Sequence, residues 1–99
     1  MIVFVRTAVP LPGKSMDLMA FAKDVAKVVK QANGVDVSVS SSIGGALGAV
    51  AWTSMYESLA QLEEKTAKLM ADASYGTMVK KAEGLVVPGS AHDQLWRHI

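Results

Sequence analysis

No cysteine occurs among the 99 residues, which excludes disulfides, thiolate metal sites and a cysteine nucleophile. Stability therefore has to come from packing. Charge of one sign is also missing: ten basic and nine acidic side chains leave a formal net charge of +1, scattered along the chain without a basic block. Nucleic-acid binders carry such a block, so that class of partner is not expected. No apolar run approaches the ~18 residues that cross a bilayer, so no membrane partner is expected. The apolar opening Met1 to Val5 meets Arg6 without a basic leader, unlike a secretion signal. A cytoplasmic location is the expectation.

Apolar residues, by contrast, are plentiful. They make up 51% of the chain, enough for a core and too many for a disordered segment. The length fits one domain spanning residues 1–99. A domain of this size buries only about two-thirds of the surface its unfolded chain exposes, so a face shared with a partner adds much to its stability.

The apolar residues fall into recognisable periods. Ile2 to Ala8 reads as a strand with apolar side chains on both faces, hence central in its sheet. Two prolines in Val9-Pro-Leu-Pro-Gly13 end it. From Ser15 to Ala32 the pattern predicts a helix. Leu18, Met19, Phe21, Ala22, Val25, Val28, Val29 and Ala32 occupy one half of the wheel, and Asp17, Lys23, Asp24, Lys27 and Lys30 the other. Ser15 is a candidate N-cap and Asn33-Gly34 a left-handed stop.

Val35 to Ile43 and Ala46 to Thr53 read as a hairpin about Gly44-Gly45, which suits a two-residue turn. That turn pairs Val39 with Val50, Val37 with Trp52, Ser40 with Ala49 and Ser38 with Ala51. One face then holds the valines and Trp52, and the other the serines and alanines. A second helix is expected from about Ser58 to Ala71, with either Ser54–Glu57 or Ser58–Gln61 as its capping box. Asp72 caps a short third helix that presents Tyr75, Met78, Val79 and Ala82 on one face. Leu85-Val86-Val87 is a buried connector, and Ser90 to about His98 forms the last strand.

The resulting order β-α-β-β-α-α-β is an α+β, ferredoxin-like pattern: a four-stranded antiparallel sheet with helices on one face. Strand one is nevertheless apolar on its reverse, where Ser38, Ser40, Ala49 and Ala51 add a small, flat surface. Exposed to water, that face would be a large apolar patch for a soluble monomer. Stacking it on an identical face about a two-fold axis hides both. The expected partner is a second copy of the chain, a homodimer through sheet faces.

Several parts of the sequence resemble the dimeric α/β-barrel superfamily, in particular small bacterial NIPSNAP-like and antibiotic-biosynthesis-monooxygenase-like proteins. They are the helix-one pattern, Trp52-Thr-Ser-Met-Tyr-Glu-Ser-Leu59, Asp72-Ala-Ser-Tyr75 and the ending Pro88-Gly-Ser-Ala-His-Asp-Gln-Leu-Trp-Arg97. The resemblance implies a dimeric barrel with a cleft between helices and sheet. It leaves activity open, because one fold hosts many functions.

Candidate chemistry is sparse. Glu63 falls within the apolar stripe of helix two, either as a general base in a cavity or as a rim residue reaching water. Arg6, in an otherwise apolar strand, either clamps a ligand carboxylate or pairs with a surface acid. His92 and Trp96 share parity on the last strand with Gln94 and His98. Facing a pocket, His92 would serve as a base and Trp96 as an aromatic wall. Two histidines six strand residues apart lie about 20 Å from each other, too far to share a metal ion. Trp52, Tyr56 and Tyr75 complete the candidate ligand-binding set, and Trp52 needs an acceptor for its indole N–H.

Gly44-Gly-Ala-Leu-Gly48 lies in a hairpin rather than before a helix, so it is not a phosphate loop. Some members of the superfamily degrade haem with an Asn, a Trp and a His. Here the one asparagine is Asn33 and helix three lacks histidine, which disfavours haem. No cofactor and no metal is expected. Three functions stay open: a dimer binding a small apolar or aromatic metabolite, a cofactor-independent monooxygenase or isomerase, and a structural dimerisation module without a ligand.

Overall fold

A computed structural model describes all 99 residues. The elements run β1 (Ile2–Ala8), α1 (Ser15–Asn33), β2 (Ser38–Ser41), β3 (Val50–Tyr56), α2 (Leu59–Met70), α3 (Ala73–Lys80) and β4 (His92–Arg97). The four strands form one antiparallel sheet in the order β2-β3-β1-β4, with β1 in the interior as its two apolar faces require. This is the α+β, ferredoxin-like arrangement expected from the sequence.

The helix caps follow from local chemistry. Gly34 closes α1 in the left-handed conformation at φ 75°, its N–H donating to the Lys30 carbonyl. Of the two possible boxes on α2, Ser58–Gln61 forms: Ser58 Oγ accepts from the Gln61 N–H, and Gln61 Oε1 accepts from the Glu57 N–H. Asp72 accepts from the Tyr75 N–H and starts α3. The first cap differs from expectation. Lys14, not Ser15, holds the N-cap position of α1, and no side chain bonds there. Asn33 is buried rather than in a turn: its side chain donates to the Lys65 carbonyl, while Lys65 Nζ donates to the Asn33 carbonyl, tying α1 to α2.

The β2–β3 connection also differs from the expected two-residue turn. The register pairs Val39 with Trp52, Ser40 with Ala51 and Ser38 with Thr53, and the chain crosses over through residues 42–49. Within that loop Ser42 Oγ bonds the Gly44 backbone, and Ser42 N–H donates to the Ala49 carbonyl. Gly48 brings this loop against the start of α1. Its backbone, at φ 72°, passes so close to the start of α1 that a Cβ there would lie 2.7 Å from Ser15 Oγ and 3.1 Å from Pro10. The pairing lies two residues from the expected one. A shift of two leaves every side chain on its expected face, whereas a shift of one would have inverted them.

Two buried clusters join the layers. Ile2, Val29, Val35 and Tyr56 form one, and Leu18, Ala22 and Val50 the other. Val37, Val39 and Trp52 pack against them, so the valine and tryptophan face does meet the helices. Trp52 Nε1 donates to the Ala22 carbonyl at 3.1 Å, which satisfies the indole. No element of the chain covers the reverse face of the sheet.

Candidate functional site

Between the sheet and the helices the two clusters leave a cavity of about 420 Å³. Phe4 and Arg6 of β1 and Trp52, Ser54 and Tyr56 of β3 make its floor, because every second residue of a strand faces the same side. Val25 and Val29 of α1, Leu62 and Leu69 of α2, and Tyr75 and Val79 of α3 close it from above. The space exists because α1 packs over β2 and β3, leaving the β1 half of the floor to the shorter α2 and α3.

Two polar groupings interrupt the apolar lining. Ser54 Oγ and Tyr56 Oη, two residues apart on β3 and both buried, share a hydrogen bond of 3.1 Å. Arg6 and Asp93 stand directly opposite each other on β1 and β4 and form a two-pronged ion pair, Nε–Oδ1 2.6 Å and Nη2–Oδ2 2.8 Å. The guanidinium also lies 5.6 Å from the centre of the Phe4 ring, within range of a cation–π attraction.

The hydrogen bonds that Asp93 accepts, and then its charge, raise the Arg6 pKa above its ordinary value against the opposing effect of burial, with Tyr75 adding smaller contributions in the same direction. The bonds from Arg6 hold the Asp93 carboxyl below the usual range, again against desolvation. A depressed acid of this kind favours the folded state fully above the unfolded pKa of about 4 and loses that effect as pH falls through the folded value. Acid unfolding of Asp93→Asn is accordingly expected to lack this pairing step. The melting-temperature difference between wild type and variant should be constant above pH 5 and shrink below pH 4; a difference that grows on acidification would contradict the assignment.

The structure brings four of the sequence-predicted residues to the cavity: Arg6, Trp52, Tyr56 and Tyr75. It separates the other three from it. Glu63 lies on the exposed side of α2, since the helix turns its Leu62–Thr66–Leu69 ridge inward and leaves the carboxylate in water. His92 and Trp96 project from the reverse face of the sheet, where Trp96 Nε1 donates to Gln94 Oε1. The shared parity of these residues is present, but it points away from the helices. Glu63 thus takes the rim position reaching water, one of its two readings from the sequence, and neither it nor His92 borders the cavity. Sequence reasoning missed Asp93 and Ser54. The signal for Asp93 was its alternation with His92, which places it on the opposite face from the histidine. No three His, Asp or Glu side chains are grouped so that they could hold a metal ion, and no helix is long and apolar enough to cross a membrane.

The two-layer α+β fold has solved counterparts. No family model matches the chain, and no curated protein matches it. Among solved structures it is similar to an uncharacterized NIPSNAP domain protein from Burkholderia xenovorans, with a TM-score of 0.85 at 15% identity over 100% of this chain and 95% of that one. A NIPSNAP family protein with unknown function from Agrobacterium tumefaciens gives 0.80 at 21% identity, covering 97% and 86%. A putative antibiotic biosynthesis monooxygenase from Deinococcus radiodurans gives 0.72 at 14% identity, covering 99% and 92%. The fold shared with NIPSNAP and monooxygenase-like proteins is the one that the sequence resemblance implied.

Proposed function

We propose that the chain is a cytoplasmic, single-domain protein that pairs with a second copy through sheet faces and binds a small apolar or aromatic metabolite in each cavity. The observation that carries the binding reading is the cavity itself. Its volume lies in the range of small-molecule sites, its lining is mainly apolar, and a few polar groups stand at fixed points to orient a guest. Neither Glu63 nor His92 borders it, so the reading is one of binding rather than of turnover by those two groups.

Pairing is supported by surface area. The chain exposes 6470 Å², whereas a monomer of 10.5 kDa typically exposes about 5,400 Å². The excess is close to the ~800 Å² that each partner contributes to an ordinary interface. The reverse face supplies a suitable surface: Met55, Val3 and Trp96 line up across β3, β1 and β4 as one apolar row.

Binding is tested with Nile red, an uncharged apolar dye whose emission rises in a dry site. Wild-type protein is expected to take up the dye, and Thr66→Phe, which projects a ring into the cavity from α2, to weaken uptake about tenfold or more. Equal uptake by both proteins would place the dye elsewhere and remove the cavity as the binding site.

A further inference from the structure

Arg6 and Asp93 are the only charged residues that border the cavity, and they neutralise each other. Arginine carries five N–H donors. Asp93 takes the Nε–H and one Nη2–H, which leaves the other Nη2–H and both Nη1 donors. The pair sits at the edge of the cavity with its side chains 43% and 45% exposed, and a ligand carboxylate on those donors would turn it into a cluster of net charge −1 that is only partly hydrated beside the apolar lining. An uncharged acceptor oxygen meets the same donors without adding that charge. The second polar grouping offers a further donor: Ser54 Oγ donates to Tyr56 Oη, so the Tyr56 O–H is left without a partner in the pair. Phe4 lies on the floor between the two donor points, since it pairs with Ser54 across the strands and stacks on Arg6.

We infer that Asp93 sets the charge selectivity of the cavity, so that its ligand is an uncharged ring compound presenting a carbonyl-type oxygen to Arg6 rather than a carboxylate. This deepens the binding function proposed above and rests on it. Of the two roles the sequence leaves open for Arg6, a ligand clamp or a pair with an acid, the structure shows the pair, with Asp93 as the acid.

The test uses two probes of one shape, 2-acetylnaphthalene and 2-naphthoate, titrated calorimetrically into the purified protein at neutral pH. Wild type is expected to bind the ketone at least about tenfold more tightly than the carboxylate. Asp93→Asn removes the internal counter-charge and is expected to reverse the order, 2-naphthoate gaining at least about tenfold. A wild-type protein that binds 2-naphthoate as tightly as the ketone overturns the inference by itself, whatever the variant does. So does an Asp93→Asn protein with an unchanged ratio. If wild type binds neither probe, the binding function fails, and the selectivity with it.

Discussion

A Val3→Glu chain is expected to sediment as a 10.5 kDa particle at micromolar concentration, and the wild-type chain at twice that mass if it pairs as proposed. Val3 sits at the centre of the apolar row on the reverse face, opposite Met55 on one side and Trp96 on the other. Those neighbours are 54% and 59% exposed in the isolated chain, and only 11 of 99 residues are buried. Met55 and Trp96 are thus large apolar side chains left in water on this face, with the partly buried Val3 between them. A glutamate in that row would be buried without a partner if two faces met, and the two-fold axis would set its copy on the same surface. An unpaired buried charge costs about 3–5 kcal/mol, equivalent to a hundredfold to several thousandfold in the dissociation constant. The substitution leaves the helix-facing side untouched, so the circular dichroism spectrum should be unchanged. Met16→Lys, at a 76% exposed position on the helical layer, should remain dimeric. A wild-type chain that itself sediments at 10.5 kDa would refute the pairing, and with it the explanation of the greasy sheet.

The sequence made this face legible because strand parity is insensitive to small errors of register. The Gly44-Gly45 turn was the wrong anchor for the β2–β3 pairing, yet the two-residue displacement kept Val39 and Trp52 on the helix side and Ser40 and Ala51 on the other. The loop that carries the shifted pairing passes Gly48 close to the Pro10–Ser15 corner, more than 30 residues away in sequence, a proximity that local turn chemistry does not encode.

The site was less legible for the same kind of reason. A wheel drawn on α2 places Glu63 in the stripe but cannot fix the helix's rotation to the nearest turn, and a carboxylate at the edge of a stripe turns toward water. Parity on the last strand separates His92, Gln94 and Trp96 from Asp93 and Leu95 without saying which set faces the helices. Only the pairing of β1 with β4 decides it, by setting Asp93 against Arg6. The aromatic residues Trp52, Tyr56 and Tyr75 were found more easily, because each lies on an apolar face whose direction the neighbouring valines and leucines already specify.

Leu18→Ala is expected to produce the largest loss of stability among single truncations of α1. Leu18 is fully buried against Ala22 and Val50, with Phe21, Val39, Trp52, Leu85 and Val86 around it. Removing three carbons from a packed site costs the lost transfer energy plus the cavity that remains, in all about 2–5 kcal/mol. Where the value falls in that range depends on whether the walls can close. Here they are held from several directions. Trp52 is tied to the Ala22 carbonyl. The Leu85-Val86 connector is bonded to the end of β1 through Leu11 N–H to the Leu85 carbonyl and Val87 N–H to the Val9 carbonyl. Val50 is fixed by pairing with Ala8 and Ser41. The cavity should therefore persist and the cost lie near the upper half of the range, a fall of roughly 12–25 °C in melting temperature for a domain of this size. Because the proposed pairing would make the melting point depend on concentration, both proteins are to be compared at one protomer concentration. Met16→Ala, two residues away and pointing outward, should change stability by less than about 0.5 kcal/mol. A Leu18→Ala cost below about 1 kcal/mol would mean that the connector moves in to fill the gap, so that the strap across this corner is not the rigid wall its hydrogen bonds make it.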